Sequence, residues 1–178
     1  GTAMMEWGYG FFRMSATEGA QNNTIQNCGI HMNRNNNTSL GAEGSVGILS
    51  LNLSAALGAN TPTAATGAFS NNKFYANTIQ NVNYGVYISG FASATLGDAG
   101  NDIGGSSALT GNIITNIGGG GANGAGAVRM TNQYGFTVSY NSISNLVGTA
   151  HTGQLRGIWA DGTANNTNVS ITNNAINL

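Results

Sequence analysis

Charge is what this sequence lacks most. Only 6% of its 178 residues are Asp, Glu, Lys or Arg, against roughly 25% in ordinary soluble domains, and the net charge is −1. Such a surface has no field with which to gather phosphates, so nucleic acid and anionic membranes are not expected partners. One cysteine, Cys28, excludes an internal disulfide framework. No run of about 20 apolar residues is present, so no transmembrane segment is expected. The six acids are Glu6, Glu18, Glu43, Asp98, Asp102 and Asp161, little material for the paired carboxylates of hydrolytic chemistry or for calcium. Asp98 and Asp102 are the one close acidic pair, and they read as turn residues rather than as a calcium site. His31 and His151 have no Cys or acid at ligand spacing, so no metal or other cofactor is expected.

Where charge is missing, 28 Gly and 27 Asn stand instead. Five times an Asn precedes an Ile by two residues: Asn23/Ile25, Asn77/Ile79, Asn112/Ile114, Asn141/Ile143 and Asn174/Ile176. A unit that returns every few tens of residues, each copy too small to bury a core alone, points to a stacked solenoid. The position three before each Asn is apolar as well: Ala20, Phe74, Leu109, Val138 and Ile171. Alternation in FTVSYNSISN and NVSITNNAIN has the period of two of strands. Four copies run on to a further apolar place, held by Cys28, Val82, Ile117 and Leu146, where the cysteine reads as a core side chain.

A second strand follows, usually after Gly: FRMS, ILSL, VYIS, VRMT and IWAD. Its second residue gives an outward column of Arg13, Leu49, Tyr87, Arg129 and Trp159, spaced more evenly than a register built on GIHM. Next along the strand lies the column Ser15, Leu51, Ser89, Thr131 and Asp161, where Asp161 has no acidic partner. The stretches 34–45, 54–72, 90–108 and 118–126 read as loops. Asn23, Asn77, Asn112, Asn141 and Asn174 are expected to form a ladder, because Asn tolerates the left-handed backbone of a sharp turn and its amide bonds to the Asn stacked above.

The strings NNTIQN, NNKFYANTIQNVNYGVYISG, NDIGGSSALTGNIITNI and YGFTVSYNSISN resemble the parallel β-helix (pectate-lyase-like) repeats of very large secreted surface proteins of the Bacteroidetes group, from about Tyr9 to Leu178. The expected fold is all-β: a single right-handed, single-stranded parallel β-helix over 1–178, four to five coils with long loops, cut from a longer chain. The resemblance implies export by type IX secretion and an extracellular or cell-surface location. The expected role is a stalk or adhesin whose partners are neighbouring coils or domains, glycans or the secretion machinery. Tyr87, Arg129 and Trp159 are the candidate glycan contacts, because aromatic faces stack on sugar rings and Arg donates paired hydrogen bonds. An internal cation–π contact is the competing reading of the same three residues. A carbohydrate-active enzyme segment, lyase or hydrolase, is the alternative function, and a component of a larger assembly a third.

Overall fold

The computed structural model describes residues 7–33, 45–118, 124–145, 151, 153–161 and 168–178. Among them there is no α-helix, only strands and one 3-10 turn at Ala65–Gly67. The strands are β1 (Trp7–Arg13), β2 (Thr24–Gln26), β3 (Gly29–His31), β4 (Val46–Ser54), β5 (Lys73–Tyr75), β6 (Thr78–Val82), β7 (Tyr84–Ser89), β8 (Asp98–Ala99), β9 (Asp102–Ile103), β10 (Ile113–Ile117), β11 (Ala125–Thr131), β12 (Gln133–Tyr134), β13 (Thr137–Ser139), β14 (Ser142–Ser144), β15 (Leu155–Asp161), β16 (Ser170–Thr172) and β17 (Ala175–Asn177). Three five-stranded sheets take them in the orders β1-β4-β7-β11-β15, β2-β5-β9-β13-β16 and β3-β6-β10-β14-β17, and β8 pairs with β12 in a small fourth sheet. Every pairing between strands is parallel. The chain therefore visits the first, second and third sheet in turn and repeats the circuit.

Apolar columns run through the interior of this stack. The second sheet contributes Ile25, Phe74, Ile103, Val138 and Ile171, each paired with the next. The third contributes Ile30, Ile79, Ile114, Ile143 and Ile176. The first contributes Ile48, Val86, Val128 and Ile158. Phe74, Ile79, Ile103 and Ile114 are fully buried, worth roughly 1.5–3 kcal/mol each. The Gly that precedes the second strand unit makes room for the isoleucines across the core: a Cβ on Gly85 would lie 2.7 Å from Ile114 Cγ2 and 2.5 Å from the Ala127 carbonyl oxygen.

Two corners turn on a left-handed residue, the first in all five circuits and the second in four. Before the second sheet these are Asn22, Asn71, Gly100, Gly135 and Asn168, with φ between 52° and 67°. Before the third they are Asn27 (58°), Ala76 (50°), Tyr140 (58°) and Asn173 (56°). Asn and Gly suit this conformation, whereas Ala and Tyr pay about 1–2 kcal/mol for it. After Ala76, Tyr140 and Asn173 the next residue supplies a ladder amide, and Asn112 supplies the remaining one. Asn77 donates its backbone N–H and its Nδ2 to Asn112 Oδ1, both at 3.0 Å. Asn112 does the same to Asn141 Oδ1 at 3.1 and 2.8 Å, and Asn141 to Asn174 Oδ1 at 3.0 and 2.9 Å. Each Nδ2 also holds a carbonyl of the second-sheet strand one circuit earlier, Ile25, Phe74, Ile103 and Val138 in turn.

The structure corrects the register at several points. Asn23 is not in this ladder. It belongs to a second one at the other corner, where its backbone N–H and Nδ2 both reach Asn72 Oδ1 at 3.0 Å and Asn72 N–H reaches Asn101 Oδ1 at 2.9 Å. Both corners carry the same local signature, a left-handed residue, Asn, any residue and an apolar one, so Asn23-Thr24-Ile25 reads like Asn77-Thr78-Ile79 although it enters a different sheet. Cys28 accordingly sits in the Asn77 column, its N–H bonded to Asn77 Oδ1 at 3.0 Å, not in the column of Val82 and Ile117; Leu146 lies outside the described residues. Ile25 and Ile103, not Ala20 and Leu109, complete the Phe74 column, and strands β8 and β9 run through what reads as the 90–108 loop. Leu49, Tyr87, Arg129 and Trp159 do pair in one row, but Gly10 takes the first place. A register shift after Phe11 sets Arg13 opposite Ser54, and Ser15 bridges Glu18 instead of continuing the Leu51 column.

The ladder's centre is buried and its far end is not, so truncations should differ. Asn112→Ala removes an acceptor shared by two donors, leaves the buried Asn77 N–H unpaired and takes one of two donors from the Phe74 carbonyl and from Asn141 Oδ1, and urea unfolding should register a loss of about 3 kcal/mol. Asn174→Ala, where water replaces the amide, should cost about 1 kcal/mol. Ala76→Asn, which restores the residue favoured at that corner, should raise stability by about 0.5–1 kcal/mol in the same assay.

Candidate functional site

The outer face of the first sheet carries a second apolar cluster of Val46, Leu49, Leu51, Tyr84 and Tyr87, flanked by Trp7, Phe12, Leu53 and Trp159. The sequence-predicted trio meets here. Arg129 lies between aromatic neighbours of adjacent strands, its Cζ 3.9 Å from the Trp159 ring centroid and 4.8 Å from that of Tyr87. Its Nη2 donates to Asp161 Oδ2 at 2.8 Å, and Thr131 donates to the other oxygen of Asp161. A second guanidinium, Arg156, stands 3.8 Å from the Trp159 centroid. Cation–π contacts that are partly desolvated contribute about 1–2 kcal/mol each. Tyr87 keeps only 9% of its surface exposed, so its ring is engaged inside the protein and Trp159 with Arg156 forms the part that solvent reaches.

A buried polar cluster, not visible as a motif, joins the ends of β1, β8 and β12. Arg13 is 1% exposed and reaches the Gly67 carbonyl through Nε at 2.6 Å, Asn52 Oδ1 through Nη1 at 2.5 Å and the Asn60 carbonyl, with its guanidinium 5.0 Å from the Phe69 centroid. These acceptors lie 39 to 54 residues away along the chain, which is why an Arg inside a strand pattern reads as outward. Asp98, wholly buried, accepts from Phe69 N–H at 2.9 Å and from Gln133 Nε2 at 3.0 Å. Gln133 in turn accepts from Asn101 at 2.7 Å, which ties the carboxylate to the second Asn ladder. Burial pushes the Asp98 carboxyl up to about 6, against the opposing pull of these two hydrogen bonds and of Arg13.

Asp102 serves other partners. It accepts from Tyr75 Oη at 2.6 Å and Gly105 N–H at 3.1 Å, and burial together with this bond raises the Tyr75 phenol above its usual range. Asp98 and Asp102 thus each organise a separate turn. Among the described residues no three His, Cys, Asp or Glu side chains come together as metal ligands. Glu6 and Glu43 lie outside the described residues.

A cleft of about 430 Å³ opens elsewhere, at the corner before the third sheet. Thr78, Ile113 and Ser142 are register partners on three neighbouring strands and form its floor. Leu109 and Tyr140 stand beside it, and the strained corner residue Ala76 closes one end. Among the described residues no charged side chain lines it. The sequence does hold a trace of it: Ala76 and Tyr140 occupy the place before the repeat Asn where Asn or Gly is expected.

No family model, curated protein or solved structure matches the chain. Among the described residues no helix is long and apolar enough to cross a membrane.

Asp98 makes stability depend on pH in an unusual direction. A carboxyl whose folded value lies near 6, above the ordinary aspartate value of 3.8, stabilises the fold fully below 3.8 and ceases to do so as pH rises through 6. Its contribution should fall by about 3 kcal/mol between pH 3.5 and 7. Urea unfolding across that range should give a slope that Asp98→Asn flattens; equal slopes in the two proteins would refute the assignment.

Proposed function

We propose that the chain is a segment of a right-handed parallel β-helix that acts as a stiff stalk or adhesive rod on an extracellular surface. The observation that carries this reading is the constant order in which the three five-stranded sheets receive their strands. Right-handedness is favoured on physical grounds, since connections between parallel strands of one sheet are right-handed in about 98% of cases. The Asn ladders add axial hydrogen bonds to those of the sheets, which suits an element that resists bending and stretching.

The remaining support is compositional. A chain with 6% charged residues neither attracts nor repels ions strongly, and a single thiol leaves little to oxidise outside a cell. Insertions between strands vary in length while the circuit stays constant, the arrangement by which a rod presents contact loops at regular intervals, with affinity gained from repetition. The resemblance to large secreted surface proteins points the same way.

Antibody raised against this chain should label intact cells of its source without permeabilisation, and limited proteolysis of whole cells should release the labelled material. Label that appears only after lysis would overturn the surface placement.

A further inference from the structure

The cleft beside the third sheet has the marks of a binding site that the rod itself does not need. Leu109 is 90% exposed, the most exposed large apolar side chain among the described residues, and Ile113 beneath it is 49% exposed. A folded chain gains nothing by holding two aliphatic side chains in water beside one another. The backbone is strained at the same place. Ala76 and Tyr140 adopt left-handed φ of 50° and 58°, at a corner where Asn27 and Asn173 serve two other circuits. Asn at either place would relieve the conformation, yet the cleft keeps Ala76 and Tyr140 in its lining. Strain of this kind gathers at functional sites.

The lining defines the ligand. Ile113 presents an apolar patch between Thr78 and Ser142, its register partners on either side, so two exposed hydroxyls flank it at about 4.8 Å strand spacing. Tyr140, an aromatic residue, and Leu109, a second apolar one, complete the lining. With no charge among the described lining residues, an ionic ligand would leave its counter-charge unmet. A neutral pyranose ring satisfies every element: its C–H face covers Ile113 and Leu109 or stacks on Tyr140, and its rim hydroxyls exchange hydrogen bonds with Thr78 and Ser142. A volume of about 430 Å³ is within the span of small-ligand sites, and it holds one or two such rings.

We propose that this cleft is a binding site for a neutral saccharide, set on the side of the stack that holds the third sheet and separate from the Tyr87/Arg129/Trp159 face. The proposal deepens the adhesive reading, on which it rests for its biological sense, by naming a contact and its chemistry. Gly111 belongs to the construction: a Cβ there would fall 1.9 Å from the Tyr140 carbonyl oxygen, so only Gly lets the Tyr140 backbone close on its neighbour.

Saturation-transfer NMR on the whole chain, with a panel of neutral methyl pyranosides and their β- and α-linked oligomers, tests it. Transfer to ring C–H protons of at least one sugar is expected, with oligomers binding more tightly if the natural ligand is a chain and equally if it is a single residue. Tyr140→Asn should weaken binding at least tenfold while raising the melting temperature, a pairing that general damage to the fold does not produce. Leu109→Ser, on a side chain that is 90% exposed, should weaken it at least threefold with the melting temperature unchanged. A folded chain that transfers to no neutral saccharide, or that binds one equally well in both variants, overturns the proposal. Transfer only to an apolar probe such as indole overturns it in favour of a hydrophobic ligand. Surface labelling that succeeds while sugar binding fails leaves the rod reading standing without this site.

Discussion

The amide of a buried asparagine is the interaction on which the other features depend. Each circuit must change direction sharply at a corner, and a sharp corner leaves backbone N–H and carbonyl groups pointing into a space that strands on either side have closed to water. One Asn side chain meets that need on both sides, because its oxygen accepts two hydrogen bonds from the circuit before while its nitrogen donates to a carbonyl of that same circuit and to the oxygen of the next Asn. Unpaired, these groups would each cost about 1–3 kcal/mol. Paired, they fix the height of every circuit relative to its neighbours, and the strand registers follow.

Packing then works inside the frame the ladders set. Isoleucine from the third sheet projects across the core to the start of the first, where Gly47 and Gly85 leave the space that its Cγ2 fills. The same frame explains why so little charge is tolerable. Where charge does occur inside it is surrounded. Arg13 is held by carbonyls and an amide, Asp98 by two donors, and Arg129 by Asp161 and aromatic rings. These few groups act as local organisers of turns and of the outer sheet face.

Regularity also makes departures informative. A corner that uses Asn in two circuits and Ala or Tyr in others, at the same left-handed φ, spends conformational energy without any gain to the stack. The return lies outside the frame, in the shape of the surface next to those residues. By contrast, the Tyr87, Arg129 and Trp159 row is drawn inward by the apolar cluster beside it, and its cation is already committed to partners of its own chain. On a repetitive scaffold, strain marks a specialised surface more clearly than the presence of attractive residue types does.

All-β character and parallel pairing were legible in the sequence, because a period of two and a recurring Asn-x-Ile report directly on strand faces and on corners. The row Leu49, Tyr87, Arg129, Trp159 was legible too, since each residue sits at the same offset in its own copy. What only the tertiary structure decided is everything that distinguishes one copy from another of the same local pattern. Two corners share one signature, so Asn23 and Cys28 fell to the wrong column until pairing with Asn72 and Asn77 separated them. Ile103 looked like part of a loop because a two-residue strand has no period to read. Arg13 looked outward because its partners arrive from 39 or more residues away. The cleft, too, needs an insertion and two corners from different circuits to converge. Local pattern determines which residues form strands and turns, while the choice of neighbour is made by contacts distant in sequence, which no window along the chain contains.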